Sequence, residues 1–221
     1  MATIAIVGMG PLLGLGIARR FGREGYKVAM ISRKQAALDA FAEQLKTEGI
    51  EAAGFAGDMS DPAQVEKAFA AIRARLGEID VLEFSPTQWN KGGYEATNAL
   101  STTVESAKHD IDLLVLGAIA CARQVIPNLI ERKTGALFFT TGYSAIHPIP
   151  IITSLCLANS ALRAYAYCLK EELAESNVYV GTVSINAFIA DGTAADPLTI
   201  ADLYWDMYRK RDRIEEVFGP V

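Results

Sequence analysis

Residues 1–16 read MATIAIVGMGPLLGLG: an apolar, strand-like run over Thr3–Val7 is followed at once by a glycine-rich turn over 8–16. A helical pattern, Ile17–Phe21, comes directly after the turn. A glycine-rich turn between a first strand and a helix lets the backbone approach a pyrophosphate, whose charge then lies at the helix N-terminus. The stretch therefore predicts a dinucleotide site. The alternative is a tight turn whose glycines serve only close packing.

Strand-like and helical patterns alternate along the rest of the chain. The strand-like runs are Thr3–Val7, Lys27–Ser32, Ile50–Phe55, Ile79–Ser85, Gly135–Thr141 and Tyr179–Asn186. Between two of them, Asp61-Pro62 is a typical helix start, because the aspartate caps the helix and the proline fits its first turn. This alternation predicts βαβ units, and hence an α/β fold with a doubly wound parallel sheet in three layers. We find no linker or repeat, so residues 1–221 are expected to form one domain.

Composition excludes several classes of protein. The 221 residues are 51% hydrophobic and carry 21 Lys+Arg against 26 Asp+Glu, a net charge of −5, so no nucleic-acid partner is expected. The longest uninterrupted apolar run falls far short of the roughly 20 residues that a membrane helix needs, so no membrane partner is expected either. With no secretory signal at the N-terminus, we expect a cytoplasmic protein whose Cys121, Cys156 and Cys168 are buried reduced thiols. No metal-ligand spacing, P-loop or serine-hydrolase elbow is found.

The residues after the second strand indicate which dinucleotide is bound. An NAD-preferring fold usually places an acidic residue there to hold the ribose hydroxyls. This chain has Ser32-Arg33-Lys34 instead. Two cations suit the additional 2′-phosphate of NADP(H), so NADP(H) is expected and NAD(H) is disfavoured. The alternative is a solvated basic start to the next helix.

At these residues the chain resembles the short-chain dehydrogenase/reductase family, over essentially its full length. Two registers compete for the family's Gly-x-x-x-Gly-x-Gly motif: Gly10, Gly14 and Gly16 fit the string, whereas Gly8, Leu12 and Gly14 keep the strand–turn–helix spacing and are preferred. The resemblance implies a Rossmann fold with strand order 3-2-1-4-5-6 and a short seventh strand near Glu215–Phe218. The cofactor contacts that it implies, together with the loop residues above, are Gly8, Gly10, Pro11, Leu12, Leu13, Gly14, Ser32, Arg33, Lys34, Asp58, Met59, Ser85, Pro86, Thr87, Thr140, Thr141, Asn159, Phe188 and Ile189.

The catalytic positions that the resemblance implies carry other residues. Orthodox members have a helix asparagine, a serine after strand five, and Tyr-x-x-x-Lys on the following helix, where the tyrosine exchanges a proton and the lysine lowers its pKa. The corresponding residues here are Asp112, Gly142, Leu155 and Asn159, and none of the eight tyrosines has a lysine four positions later. Asn159 could still hydrogen-bond a ribose, but it supplies no positive charge. The usual tetrad is therefore absent from the sequence.

Other side chains near the expected active-site mouth could replace the tetrad. Tyr143, Ser144 and His147 follow strand five, and histidine and tyrosine are able to exchange protons with a substrate. The alternative is that this segment is only an ordered loop, without a catalytic role. Candidates for an apolar substrate pocket are Trp89, Phe188 and Trp205, although core packing explains each of them better.

Two helical segments, Ile111–Ile130 and Thr153–Glu172, are apolar nearly all round. A helix without a polar face is buried on two sides, either inside the domain or in a homodimer or homotetramer interface near 111–130 and 153–172. Taken together, the sequence predicts an NADP(H)-dependent oxidoreductase with non-standard proton donors, acting on a small carbonyl, alcohol or unsaturated compound. The alternative is a catalytically inactive NADP(H)-binding protein that acts as a sensor or subunit.

Overall fold

One parallel β-sheet organises the computed structural model, which describes residues 1–87 and 97–220. Within these residues the strands are β1 (Thr3–Val7), β2 (Lys27–Ser32), β3 (Ala52–Ala56), β4 (Val81–Phe84), β5 (Ala136–Gly142), β6 (Tyr179–Ile185) and β7 (Glu215–Phe218). Their order is β3-β2-β1-β4-β5-β6-β7, with every neighbouring pair parallel. This confirms the predicted strand order and the predicted seventh strand; the predicted strand ends differ from the observed ones by at most two residues.

Helices cover both faces of the sheet. They are α1 (Leu13–Arg23), α2 (Gln35–Thr47), α3 (Pro62–Leu76), α4 (Val104–Ile111), α5 (Gly117–Arg132), α6 (Thr153–Glu172) and α7 (Pro197–Lys210). One apolar core lies under α3, α5 and α6, and a second lies under α1, α2 and α7. Alternate residues of each strand enter opposite cores, as Ala5 and Ile6 of β1 do, because side chains of a strand point to alternate faces. The predicted doubly wound, three-layer fold is confirmed.

The long apolar helix expected over 111–130 begins earlier than the sequence suggested. It starts at Val104 as α4, continues through a π-helical turn over Asp112–Leu116, and runs on as α5 to Arg132. Such turns inside helices are frequent at functional sites. Over Val104–Arg132 the segment is long and apolar enough to cross a membrane, by length and composition only. The core helix of a soluble protein passes the same test.

The outer sides of α5 and α6 are uncovered in the described part of the chain. Leu116 is 52% exposed and Leu157 is 50% exposed, and Ile130 is also exposed. Burial inside the domain and a subunit interface therefore both stay predictions for these helices, and the exposed apolar residues favour the interface. A correction concerns the thiols: Cys121 and Cys156 are buried, whereas Cys168 on α6 is exposed.

Candidate functional site

The parallel strands bring the loops that follow them to one edge of the sheet, where ligands of doubly wound folds bind. We call the loops after β1, β2 and β3 the cofactor half; they contain residues 8–12, 32–34 and 57–60. We call the loops after β4, β5 and β6 the reaction half; they contain residues 85–87, 142–147 and 186–190. Trp89, a sequence candidate for the apolar pocket, lies outside the described residues.

Gly8 ends β1 in a conformation that favours glycine. Its φ is 95°, and a Cβ placed on it would lie 2.5 Å from the backbone N and Cα of Pro86. Side chains are strained at such a φ, and the Pro86 backbone has no flexible end that could move away. A Cβ on Gly10, in contrast, would meet only the carbonyl oxygen of Gly8, at 3.9 Å. The geometry thus requires glycine at position 8 and not at position 10.

The start of α1 presents backbone donors at the sheet edge. Leu12 is the N-cap residue and its side chain makes no capping hydrogen bond. The Leu15 N–H donates to the Gly10 carbonyl at 3.1 Å, so the first-turn donors that an anion could use are the N–H groups of Leu13 and Gly14. Gly14 packs closely against Met9, and Gly16 packs against the backbone of Pro197 in α7. Gly16 therefore serves helix packing, which favours the register Gly8, Leu12, Gly14 over Gly10, Gly14, Gly16.

The cations after β2 stand exposed at the same edge. Ser32 is half-buried, and its carbonyl accepts the N–H of Gly57 at 3.0 Å. Arg33 and Lys34 are exposed. Neither forms an ion pair with any carboxylate of residues 1–87 and 97–220, so both cations remain available to a phosphate.

Asp58 follows β3 in a turn that is already ordered. Its Oδ1 accepts the N–H of Ser60 at 3.0 Å and the Ser60 hydroxyl at 2.7 Å, and its own N–H donates to Gln64 Oε1 at 3.0 Å. Met59 next to it is buried, and the Cys121 thiol donates to its sulfur at 3.6 Å. The turn therefore holds the Asp58 carboxylate at the edge while Met59 anchors the turn in the core.

In the reaction half, two of the catalytic positions that the resemblance implies, Gly142 and Asn159, lie beside the Ser144 hydroxyl. Asn159 of α6 donates from Nδ2 to Ser144 Oγ at 3.2 Å, and both side chains are buried. A Cβ placed on Gly142 would lie 3.2 Å from Ser144 Oγ and 3.5 Å from Asn159 Nδ2. The Ser144 hydroxyl thus lies beside the place where a side chain at position 142 would begin. Leu155 is half-buried and packs against the core under α6.

Tyr143 begins the short 3-10 turn Tyr143–Ala145 that follows β5, and His147 lies two residues after the turn. Their ring centroids are 4.7 Å apart, and the His147 N–H donates to the Tyr143 carbonyl at 3.0 Å. Tyr143 is half-buried and His147 is exposed. Asp112, at the fourth position, starts the π-helical turn and pairs with Lys108 at 2.5 Å.

Three expected cofactor contacts, Ser85, Thr140 and Thr141, direct their hydroxyls into the protein instead. Thr141 Oγ1 lies 2.9 Å from Ser184 Oγ, and Thr140 Oγ1 donates to Glu83 Oε1 at 2.8 Å. Ser85 Oγ donates to the other carboxylate oxygen of Glu83, at 3.0 Å. Glu83 was missed in the sequence; the signal that could have found it is a lone acidic residue inside the apolar strand Val81–Phe84.

The two aromatic candidates for the substrate pocket that the structure describes, Phe188 and Trp205, lie in different surroundings. Phe188, after β6, is 90% exposed, while its neighbour Ile189 packs against the core under α7. Trp205 packs edge-on against Phe21 and stacks on Tyr208, with the Arg20 guanidinium 5.0 Å from its ring. Trp205 is thus part of the contact between α1 and α7, and the alternative that it lines a substrate pocket is wrong.

Comparison with known proteins places the chain among dehydrogenases. A family model described as "short chain dehydrogenase" matches residues 2–196. The chain is 24% identical to the rat dehydrogenase/reductase SDR family member 7B, over 87% of this chain and 62% of that protein. It is 23% identical to the Bacillus subtilis 2,3-dihydro-2,3-dihydroxybenzoate dehydrogenase, over 96% of this chain and 75% of that protein. The match spans less than two thirds of the length of the rat protein.

Solved structures share the fold. A short-chain dehydrogenase from Rhodopseudomonas palustris has a TM-score of 0.85 at 22% identity, with 100% of this chain and 99% of that one covered. L-Sorbose reductase from Gluconobacter frateurii, complexed with NADPH and L-sorbose, has a TM-score of 0.86 at 20% identity, covering 99% and 95%. A metagenomic short-chain oxidoreductase in complex with NADP has a TM-score of 0.84 at 20% identity, covering 100% and 97%.

Proposed function

Because the chain belongs to the short-chain dehydrogenase family, we propose that it binds NADP(H) and catalyses hydride transfer to or from a small carbonyl, alcohol or unsaturated compound. The observation that carries the proposal is the arrangement of the cofactor half. A helix N-terminus without a side-chain cap lies beside Gly8, and two exposed cations, Arg33 and Lys34, follow the neighbouring strand. Two phosphate-binding features at one sheet edge match a dinucleotide with an additional phosphate.

The residues present fit the cofactor. The first turn of α1 would hold the pyrophosphate, Arg33 and Lys34 the 2′-phosphate, and Asp58 the adenine. Bound there, the nicotinamide would supply or accept the hydride. Leu12 stands where the preferred register has a glycine, and its side chain is half-buried. The NADPH and NADP complexes of two structural relatives support the proposal without testing it in this chain.

We further propose that the reaction half works with non-standard groups. Asn159 fixes Ser144 Oγ as an acceptor, which leaves the Ser144 hydroxyl proton for the substrate oxygen. A hydroxyl fixed in this way stabilises negative charge that develops on a carbonyl oxygen. Tyr143 and His147, at the mouth of the same loop, are the proposed proton donors, since both side chains reach the solvent-facing rim.

An inactive, NADP(H)-binding subunit or sensor is the second candidate. It is favoured by Leu155, which occupies the position of the family tyrosine and packs its apolar side chain against the core. Such a protein would bind NADPH and transfer no hydride.

Assembly through α5 and α6 is proposed as well, because Ile130 of α5 and Leu157 of α6 are exposed, as is Leu116 at the end of the π-helical turn that leads into α5. Sedimentation velocity should show a dimer or tetramer, and Leu157→Glu should dissociate it because a buried unpaired carboxylate is costly. A monomeric wild-type protein would contradict the assembly.

The function is tested by following nicotinamide fluorescence after NADPH is mixed with the protein and a panel of small aldehydes, ketones and enones. Hydride transfer should be detected, and Tyr143→Phe or His147→Ala should slow it by about 100-fold, the usual contribution of general acid–base catalysis, while NADPH binding is retained. Unchanged rates in both variants would remove these donors. NADPH binding without any hydride transfer would favour the inactive candidate.

A further inference from the structure

A carboxylic acid lies in the interior of the sheet, just before the loop that follows β4. Glu83 is the third residue of β4 and is completely buried. Its neighbours in the register are Ile6 of β1 and Phe138 of β5, both completely buried. A buried carboxyl group is costly unless it is hydrogen-bonded or neutral, so its partners define its state.

Three hydroxyl groups surround Glu83: two are bonded to its carboxylate oxygens, and the third is bonded to one of these two hydroxyls. Ser85 Oγ donates to Oε2 at 3.0 Å and Thr140 Oγ1 donates to Oε1 at 2.8 Å. The Tyr204 hydroxyl of α7 lies 2.6 Å from Thr140 Oγ1. Since the single hydroxyl proton of Thr140 is used for Glu83, Tyr204 must donate to Thr140.

Counting protons shows what changes when Glu83 is neutral. With an ionised carboxylate, the three hydroxyl protons fill the three bonds. A fourth proton on Oε1 would donate to Thr140, and the Thr140 hydroxyl would then have to donate to Tyr204. The Tyr204 hydroxyl, which is completely buried, would lose Thr140 as the acceptor of its own proton. A fourth proton on Oε2 instead donates to Ser85 Oγ and releases the Ser85 hydroxyl proton toward the sheet edge, where Ser85 is only half-buried. The second arrangement leaves no buried donor unsatisfied within the network.

Ser85 lies beside the glycine turn. Its N–H donates to the Val7 carbonyl at 2.9 Å, and a Cβ on Gly8 would lie 2.7 Å from its carbonyl carbon. The released hydroxyl proton is therefore presented at the place where the start of α1 offers donors to a phosphate. An ionised Glu83, in contrast, holds this proton inward and adds a negative charge behind a bound anion.

From this geometry we infer that Glu83 is a positioning residue of the dinucleotide site, which in its protonated form turns the Ser85 hydroxyl toward the bound cofactor and so links cofactor binding to one proton. The inference rests on the proposed function, because it requires that NADPH bind at this edge. The only covalent bond that forms or breaks is the O–H bond of Glu83. Its proton comes from solvent and returns to solvent when the carboxyl group ionises.

The surroundings of Glu83 favour the neutral acid at neutral pH. Burial, the largest cause, raises its pKa to about 8, although the hydrogen bonds from Thr140 and Ser85 act in the opposite direction. No charged group is among the causes. Among residues 1–87 and 97–220, Tyr204 is the titratable group that interacts with Glu83, and its pKa is raised well above its ordinary value by burial and by Glu83.

The test measures the NADPH dissociation constant across neutral and alkaline pH in the wild-type protein, Glu83→Gln, Ser85→Ala and Tyr204→Phe. Glutamine keeps the shape and mimics the neutral acid, but it cannot ionise. In parallel, infrared spectra of the cofactor-free proteins report the carbonyl band of a protonated carboxylic acid. Circular dichroism checks that each variant is folded.

The wild-type dissociation constant should be constant at neutral pH and rise above the pKa of Glu83 to a plateau about tenfold higher, since ionisation removes the hydrogen bond from Ser85 to the cofactor. Glu83→Gln should abolish most of this rise and the infrared band. Ser85→Ala should weaken NADPH binding about tenfold at neutral pH, the loss of one hydrogen bond to a charged group, and flatten the profile. Tyr204→Phe should keep the wild-type pH dependence, because it leaves the Glu83–Ser85 pair intact.

A pH-independent affinity in the wild type, the same pH dependence in Glu83→Gln, or no carboxylic acid band at neutral pH would each overturn the inference while leaving the proposed function in place. Absence of NADPH binding at every pH would overturn the proposed function, and the inference with it.

Discussion

The cofactor half and the reaction half are formed by loops at the same edge of one sheet, yet they are built differently. The cofactor half depends on backbone: the φ of Gly8, the donors at the start of α1 and the turn at Asp58. The reaction half depends on side chains that bond to one another, as Ser144 and Asn159 do. The comparison teaches that the proposed dinucleotide site depends on backbone geometry and on exposed cations that the sequence reveals, whereas the proposed chemistry depends on side-chain pairs that only the folded chain brings together.

The largest effect is expected when the backbone of the cofactor half is changed. Gly8→Ala places a Cβ 2.5 Å from the Pro86 backbone at a φ of 95°. The free energy of unfolding should fall by about 3 kcal/mol or more, because backbone strain and a backbone clash add. NADPH binding should be lost even where the variant still folds. Urea denaturation and fluorescence titration measure both effects.

Gly10→Ala is the matched control, because its Cβ would meet nothing closer than 3.9 Å. Its stability should stay within about 0.5 kcal/mol of the wild type, as for an ordinary surface substitution. Equal destabilisation by both substitutions would contradict the register with Gly8 as the first glycine.

The next effect concerns Glu83, the buried carboxyl group of β4. Because the pKa of Glu83 is raised from its ordinary value of 4.5 to about 8 by burial, the folded chain holds one more proton than the unfolded chain between these pH values. The free energy of unfolding of the wild type should therefore fall as pH rises from about 4.5 to about 8, by about 1.4 kcal/mol per pH unit within the window. Glu83→Gln should remove this slope.

Urea denaturation of both proteins across this pH range gives the measurement. The contribution is fully present below the lower value and is lost once the pH passes the upper value. Identical slopes in the wild type and Glu83→Gln would show that the buried carboxyl does not titrate in this range.

A smaller effect separates the two halves. Asn159→Ala removes the donor to Ser144 and leaves a buried hydroxyl with one partner fewer, which should cost about 1–3 kcal/mol of stability. NADPH affinity should change less than threefold if Asn159 belongs to the reaction half alone. A large loss of NADPH affinity would instead assign Asn159 to the ribose contact that the sequence suggested. It would contradict the placement of Asn159 in the reaction half alone.

Much of the fold could be predicted because its signals are local. Strands β1 to β6 are short, mostly apolar runs, Asp61-Pro62 starts α3 as expected, and the glycine turn follows β1 directly. Parallel topology then follows from alternation alone. The candidate site could be placed at the sheet edge for the same reason, since the positions after each strand must meet there.

The rest depends on long-range contacts that sequence spacing does not contain. Thr140 and Thr141 are neighbours in the sequence, but alternation in β5 directs one hydroxyl to Glu83 and the other to Ser184. Trp205 could not be assigned without knowing that α7 packs on α1. The exposure of Leu116, at the end of the π-helical turn before α5, could not be predicted either, because the sequence does not show whether an apolar residue is covered by another part of the protein.

The measurement that tests the central claim most directly is a parallel titration of the purified protein with NADPH and NADH, followed by nicotinamide fluorescence, in the wild type and in Arg33→Ala. We predict that NADPH binds more tightly than NADH, and that Arg33→Ala weakens NADPH about 10- to 100-fold, the loss of one charge-assisted contact, with little effect on NADH. Equal weakening of both cofactors would contradict the assignment of Arg33 to the 2′-phosphate. Failure of both cofactors to bind the wild type would contradict the dinucleotide site itself.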